Sequence, residues 1–529
     1  MPSRLSFAAL ALSTAALLLP ANTLRAQTEQ VSIDASATTT PFPHFWEKTF
    51  GSGRAILSLR QSYRDDIRTV KAATNFESVR FHGIFHDEVG LYDPDRRTIN
   101  FAQTAGQTGP AQDDSQYNFS YVDQIYDGLL ALGVKPYVEM SFMPKKLASD
   151  PAAIHPFWYH PNVSPPSDYT KWDAMISAFA AHLVARYGIA EVSTWKFEVW
   201  NEPNLDFWGG DPKQPTYFTL YDHTARALKA VSPRIQVGGP STAQAAWVTP
   251  FLAHVKAANV PVDFVSTHVY ANDTADNVLH LNEDVPRDKM VYRAVKMVHD
   301  QIAASPFPTL PLIFSEYNAS YANEPNVTDS DYMGPWLANT IRLCDGLTDS
   351  MDYWSFSDVF EEQGVVRSPF YGGFGLMAAD NIPKPTLNIF AALHKLGDRR
   401  IAVDSDSALA TKTASGLAIA LWDYAPPTGT GPTYTMPTGP AGPAKTFTLH
   451  IEHMPANATV QVLRIDDDHS NVLKAFDAMG RPPGSLTQAQ ILKLRAAGAM
   501  SPPEHLHLTH GELTLTVPAH GLAVVLIGR

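Results

Sequence analysis

Trp195-Lys196-Phe197-Glu198-Val199-Trp200-Asn201-Glu202-Pro203-Asn204 begins as a run of aromatic and β-branched residues and breaks at Asn-Glu-Pro-Asn, so a strand hands over to a loop with a carboxylate at the junction. Pro311-Leu312-Ile313-Phe314-Ser315-Glu316-Tyr317-Asn318 has the same plan, with Glu316 after a short apolar run. Runs of this kind recur along the chain, at 49–51, 78–82, 135–141, 195–201, 236–239, 264–270, 311–317 and 351–357. Helical periodicity fills the gaps at 63–74, 121–132, 172–187, 216–232, 248–258, 289–304 and 331–344, and Gly133 is placed to stop the second of these helices. Repeated strand–helix alternation predicts an α/β fold, with a closed parallel (β/α)8 TIM barrel over residues 41–400. Such a barrel gathers groups from distant parts of the chain at the C-terminal ends of its strands.

Beyond residue 400 the texture changes. The runs 409–421, 446–451, 459–465 and 513–525 alternate as strands, and the Pro- and Gly-rich stretch 425–444 reads as a surface loop. Residues 401–529 are therefore expected to form a β-sandwich with a helical insert at 487–497, and the segment 27–40 to add an N-terminal strand to it. Residues 1–26 read as a secretory signal: Arg4, an apolar run from Leu5 to Leu19, then Pro20 and a small-residue site at Ala26. Export to periplasm or medium is the expectation.

A net charge of −13 argues against nucleic acid as a partner, because phosphate binding needs a basic face. No segment after the signal is long and apolar enough to suggest a membrane span. Cys344 is the only cysteine, so no intramolecular disulfide can form, and its setting in Ile341-Arg342-Leu343-Cys344 suits a packed core thiol. Neither CxxC nor HExxH occurs, and no metal or cofactor is implied.

Two carboxylates brought to one barrel mouth can cleave a glycosidic bond, one attacking the anomeric carbon and the other protonating the leaving oxygen. The two tasks need different pKa values: the attacker needs donors that keep it ionised, and its charge helps hold the acid protonated. Asn201, beside Glu202, offers an amide to the sugar 2-hydroxyl.

Several short stretches together resemble glycoside hydrolase family 39, in its β-xylosidase branch. They are Gly51-Ser52-Gly53, Arg80-Phe81-His82-Gly83-Ile84-Phe85, Glu198-Val199-Trp200-Asn201-Glu202-Pro203-Asn204 with Phe207-Trp208, Ser266-Thr267-His268-Val269-Tyr270, Ser315-Glu316-Tyr317-Asn318, and Trp354-Ser355-Phe356-Ser357-Asp358 running to Glu361-Glu362. The resemblance implies a barrel with a β-sandwich and a retaining mechanism without metal. It makes Glu202 the acid/base after strand four and Glu316 the nucleophile after strand seven. It also makes His82 a ligand of sugar hydroxyls, lines the site with His268 and Tyr270, and implies exo-acting release of xylose from a xylo-oligosaccharide or other small β-xyloside.

The remaining candidates are read from their positions. Arg80 shares its strand face with His82 and can hold Glu316 ionised or form a structural ion pair. Trp354 suits a sugar platform, Phe207 a pocket wall, and Glu361 and Glu362 can accept hydroxyl bonds or be a solvated acidic loop. Glu198 has the parity of Glu202, but on a straight strand it lies roughly 13 Å deeper, as a buried supporting carboxylate. Three other functions stay open: an α-L-iduronidase-like enzyme of the same family, an endo-acting polysaccharide hydrolase, and an inactive carbohydrate-binding protein. The acidic Glu361-Glu362 loop speaks against the first, and the presence of both carboxylates against the last.

Overall fold

Eight parallel strands close into a barrel: Thr49–Arg54, Ser78–His82, Lys135–Glu139, Lys196–Glu198, Gln236–Thr242, Phe264–Tyr270, Leu312–Asn318 and Ser350–Tyr353, the last pairing back onto the first. This is seen in a computed structural model that describes residues 27–95, 115–426, 442–455 and 457–528. The expected signal at 1–26 and most of the Pro- and Gly-rich stretch lie outside the described residues.

Period-two alternation explains both faces of the barrel wall. Val79, Phe81, Val138, Phe197 and Phe314 belong to the large apolar core, and the Phe81 ring stacks on Tyr126 of the helix Ser120–Leu130. The residues between them, Arg80, His82, Glu139 and Glu198, are buried, so polar groups fill the upper barrel. Lower down, Tyr137, Phe264 and Ile313 form a small apolar plug. Gly133 has φ of 70° after the helix Ser120–Leu130, the left-handed geometry that a glycine reaches without strain. Cys344 is buried at the end of the helix Met333–Cys344.

The rest of the chain builds two further sheets. One has three strands, in which Gln27–Asp34 runs parallel to Lys445–Glu452. The other has seven, with Thr39–Pro41 at its edge against Arg399–Ile401. They share one apolar core that includes Val31, Ile419, Phe447, Leu449, Val460 and Val525. Two helices, Leu473–Ala478 and Gln488–Ala497, interrupt the strands, the second opened by a capping box of Thr487 and Gln490. Among the described residues no helix is long and apolar enough to cross a membrane.

Candidate active site

Arg80, from the second barrel strand, is the hub of the upper barrel. Its Nε donates to Glu198 Oε2 at 2.6 Å, its Nη1 to Glu316 Oε1 at 2.7 Å and its Nη2 to Asn201 Oδ1 at 2.9 Å, and Glu139 Oε2 lies 3.0 Å away. Guanidinium is planar and only donates, so each contact sets which atom of the partner faces it. They also settle the Asn201 amide: its oxygen faces Arg80, and its NH2 is the group left to donate to a sugar hydroxyl. Arg80 thus both holds Glu316 and forms ion pairs with supporting carboxylates.

The strand carrying Glu202 stops early. It ends at Glu198, and Trp200 and Glu202 then take φ of 70° and 42°. The chain therefore turns instead of running on as a straight strand, and Glu198 stays below as a buried supporting carboxylate on Arg80. Two contacts hold the turn. Glu202 N–H donates to Ser241 O at 2.8 Å, and Asn204 exchanges side-chain bonds with the Ala243 backbone at 2.9 and 3.1 Å. On the opposite side, Glu316 lies inside its strand rather than at the end. The pairing with the sixth strand slips at that point, so that His268 faces Glu316 while Thr267 faces Phe314. A slip of this kind re-aims a side chain towards the mouth.

One oxygen of Glu202, one of Glu316 and a ring nitrogen of His268 lie within 4.8 Å of one another. Retaining glycosidases hold their carboxyls about 5–5.5 Å apart, inverting ones about 6.5–9.5 Å. The donor types would also suit a cation, but the Arg80 guanidinium already occupies Glu316 and stands 3.4 Å from His268. That contact fixes the His268 tautomer. Arg80 can only donate, so Nε2 accepts and Nδ1–H donates to Glu202 Oε1 at 3.0 Å. Burial and the Arg80 charge push His268 well below the usual imidazole range, so the ring is neutral.

The two carboxylates are set apart electrostatically. Burial, then the charge of Glu316, push the Glu202 carboxyl well above the usual range. Burial raises Glu316 too, but Arg80, His82 and the Tyr270 hydroxyl oppose it; Tyr270 donates to Glu316 Oε2 at 2.6 Å. Burial outweighs them and Glu316 also ends raised, but Glu202 is pushed further, so of the two Glu202 is the better proton holder and Glu316 the better anion.

Around them lies a cavity of about 380 Å³, lined by His82, Asn201, Glu202, Phe207, Tyr270, Glu316, Trp354 and Glu362 among others. His82 Nδ1 bonds Glu139 Oε2 at 2.6 Å, which raises its pKa, and its Nε2 stands 3.6 Å from Glu362. Burial pushes Glu362 up to about 8, against the opposing pull of His82. Trp354 packs 4.7 Å from the His82 ring, and a Cβ on Gly51 would fall 2.1 Å from its indole, so glycine there seats the platform. Phe207 lies against His155 with centroids 4.1 Å apart.

Glu361 requires a correction. It is buried and held by Arg54 at 3.0 Å and by both terminal nitrogens of Arg60, so its oxygens are committed to guanidinium groups and not to hydroxyls. Sequence reasoning also missed Glu139, Asp273 and Gln244. Glu139 carried a usable signal, a charge closing the apolar run Pro136-Tyr137-Val138. Asp273 lies in a loop and Gln244 in the short turn Ala243–Ala245, where period gives none. Asp273 accepts from Tyr270 N–H at 2.8 Å and from Gln244 at 3.4 Å.

Comparison with known proteins places this geometry. The sequence pattern of glycosyl hydrolases family 39 matches residues 29–504. A beta-xylosidase of Geobacillus stearothermophilus is 36% identical over 495 residues, covering 92% of each chain. Among solved structures, the GH39 enzyme from Xanthomonas axonopodis pv. citri superposes with a TM-score of 0.83 at 31% identity, over 97% of this chain and 100% of that one. A monomeric beta-xylosidase from Caulobacter crescentus CB15 gives 0.82 at 33%, over 94% and 99%.

Proposed function

Since the chain belongs to glycosyl hydrolase family 39 and is a glycoside hydrolase, we propose that it is a retaining exo-β-1,4-xylosidase, freeing xylose from the non-reducing end of xylo-oligosaccharides. The observation that carries this reading is the Glu202–Glu316 pair, with oxygens within 4.8 Å and Glu202 pushed further above the usual carboxylate range than Glu316. Glu316 attacks the anomeric carbon while Glu202 gives its proton to the glycosidic oxygen, and the C–O bond to the leaving group breaks. Glu202, now ionised, takes a proton from water, which displaces Glu316 and restores the starting state. Arg80 and Tyr270 keep Glu316 ionised, and the neutral His268 orients Glu202 through Nδ1–H. The Asn201 amide serves the 2-hydroxyl, His82 and Glu362 serve the hydroxyls further round the ring, and Trp354 and Phe207 form the apolar walls. The stretch 1–26 supports action outside the cytoplasm.

Early-time NMR on xylotetraose tests the reading. The expected first products are xylotriose and xylose in the β-anomer. The α-anomer first would overturn the double displacement, and xylobiose first would overturn exo action.

The charge next to Glu202 has its own consequence. Asp273 is pushed up to about 6 by burial, and its charge helps raise Glu202. Asp273→Asn removes that charge, so the proton on Glu202 is held less tightly. The alkaline limb of the kcat/KM profile, which reports the free enzyme's acid, is expected to move to lower pH with the acid limb in place. An unmoved alkaline limb would show that Asp273 does not act on Glu202.

A further inference from the structure

The lining of the catalytic cavity falls into two groups on opposite sides of the barrel mouth. His82 ends the second strand, and Trp354 and Glu362 follow the eighth; His82 and Trp354 are only 2% and 3% exposed. Leu205, Gln244, Asp273 and Tyr321 follow the fourth, fifth, sixth and seventh strands in turn. Leu205 and Tyr321 are 36% and 57% exposed, so this second group forms the rim that opens to solvent. We propose that the rim holds the sugar that leaves, with the Tyr321 ring as a platform for its face and the Gln244 amide bonded to one of its hydroxyls. The proposal rests on the retaining xylosidase reading given above.

The position follows from the acid. Glu202 gives its proton to the glycosidic oxygen, so the leaving sugar begins beside Glu202. From there the contacts lead into the rim. Leu205 N–H donates to Glu202 O at 3.0 Å, and Glu202 N–H donates to Ser241 O at 2.8 Å, three residues before Gln244. The Asp273 charge reaches Glu202, and Gln244 Nε2 donates to Asp273 Oδ1 at 3.4 Å. Next to Asp273, Asn272 Oδ1 accepts from Tyr321 N–H at 3.0 Å. The loops after the fifth, sixth and seventh strands are thus tied to one another beside the acid.

The backbone around Gln244 is held away from its ordinary conformations. Ser241, Gln244, Ala245 and Trp247 all have φ between 53° and 61°, the left-handed region that residues with a Cβ rarely enter. The Asn204 side chain clamps the Ala243 backbone in the middle of this stretch, at 2.9 and 3.1 Å. Strain of this kind persists where it places a group, and here it sets the Gln244 side chain in the lining next to Glu202. A carboxamide both donates and accepts, as a hydroxyl partner requires. Tyr321 is aligned with the nucleophile, since its ring stands edge-on to that of Tyr270 at 6.2 Å, and Tyr270 donates to Glu316. A pyranose carries C–H groups on its face and hydroxyls round its edge. An exposed aromatic plane with one placed polar group therefore suits it.

The test compares kcat/KM on xylobiose and on β-xylosyl fluoride, whose leaving group is a single atom and does not reach the rim. Tyr321→Ala is expected to show at least a tenfold fall on xylobiose. Tyr321→Phe, which keeps the ring, should stay within twofold of wild type. Gln244→Asn keeps an amide that tolerates left-handed backbone but reaches one methylene less far, and is expected to lose about fivefold on xylobiose. On the fluoride all three should stay within twofold of wild type, which also reports an intact catalytic pair. Equal losses on the two substrates would mean that Tyr321 and Gln244 only support the catalytic groups. No loss on xylobiose would place the leaving sugar elsewhere, and a Tyr321→Phe loss as large as that of Tyr321→Ala would remove the platform role. Each of these results would overturn the proposal. A wild-type enzyme that turns over neither xylosyl substrate would instead sink the xylosidase reading, and the proposal with it.

Discussion

Glu316→Ala is expected to lower kcat on nitrophenyl β-xyloside by roughly 10⁴-fold or more, equivalent to about 5.4 kcal/mol of lost transition-state stabilisation, with the fold retained. The loss is large because no neighbour can take over the attack. Glu139 and Glu198 are the other carboxylates on Arg80, but each is fully buried and bonded below the mouth, to His82 and to Ser315. Folding should survive because alanine removes an anion that burial disfavours, while Arg80 keeps Glu139 and Glu198 as counter-charges. The space vacated lies between the Arg80 guanidinium and the Tyr270 hydroxyl, both donors, and suits a small anion. Azide is therefore expected to restore part of the activity and to yield the α-xylosyl azide, inverted relative to the substrate. Full activity of the variant without an added nucleophile would remove Glu316 from the attacking role.

Much of this site was legible in the sequence because it sits on strands. His82 and Arg80 share a face by period two, and His268 and Tyr270 do the same. What was not legible lies in departures from the period. The turn at Trp200 and Glu202 shortens the apparent strand, and the slip opposite His268 re-aims Glu316; both are backbone events that residue types do not announce. Glu361 was misjudged for a related reason. Adjacent acids in a loop look alike, but Arg54 and Arg60, some three hundred positions earlier in the chain, close on one and leave the other to the cavity. The apolar alternation of the outer sheets, in contrast, was plain from the residues.

Glu202→Ala should separate substrates by their leaving groups. The xylose that leaves xylobiose departs as an alcohol and needs the proton that Glu202 holds, so kcat/KM on xylobiose is expected to fall by about 10²–10⁴-fold. Dinitrophenolate departs unaided, so kcat/KM on dinitrophenyl β-xyloside should stay close to wild type. Its kcat should still fall, because the second step loses the base that activates water, and the xylosyl-enzyme should accumulate as a burst. Azide needs no base. It should relieve that second step and give the β-xylosyl azide, the opposite anomer to the one expected from Glu316→Ala. The pH profile gives an independent reading. Burial and the Glu316 charge hold the Glu202 proton well above the usual carboxylate range, so the alkaline limb that this proton gives the wild type should vanish with the residue. The acid limb, set by the ionisation of Glu316, should remain. Equal losses on both substrates, or the same azide anomer from both variants, would mean that the two carboxylates do not divide the work, and the retaining assignment would fall with them.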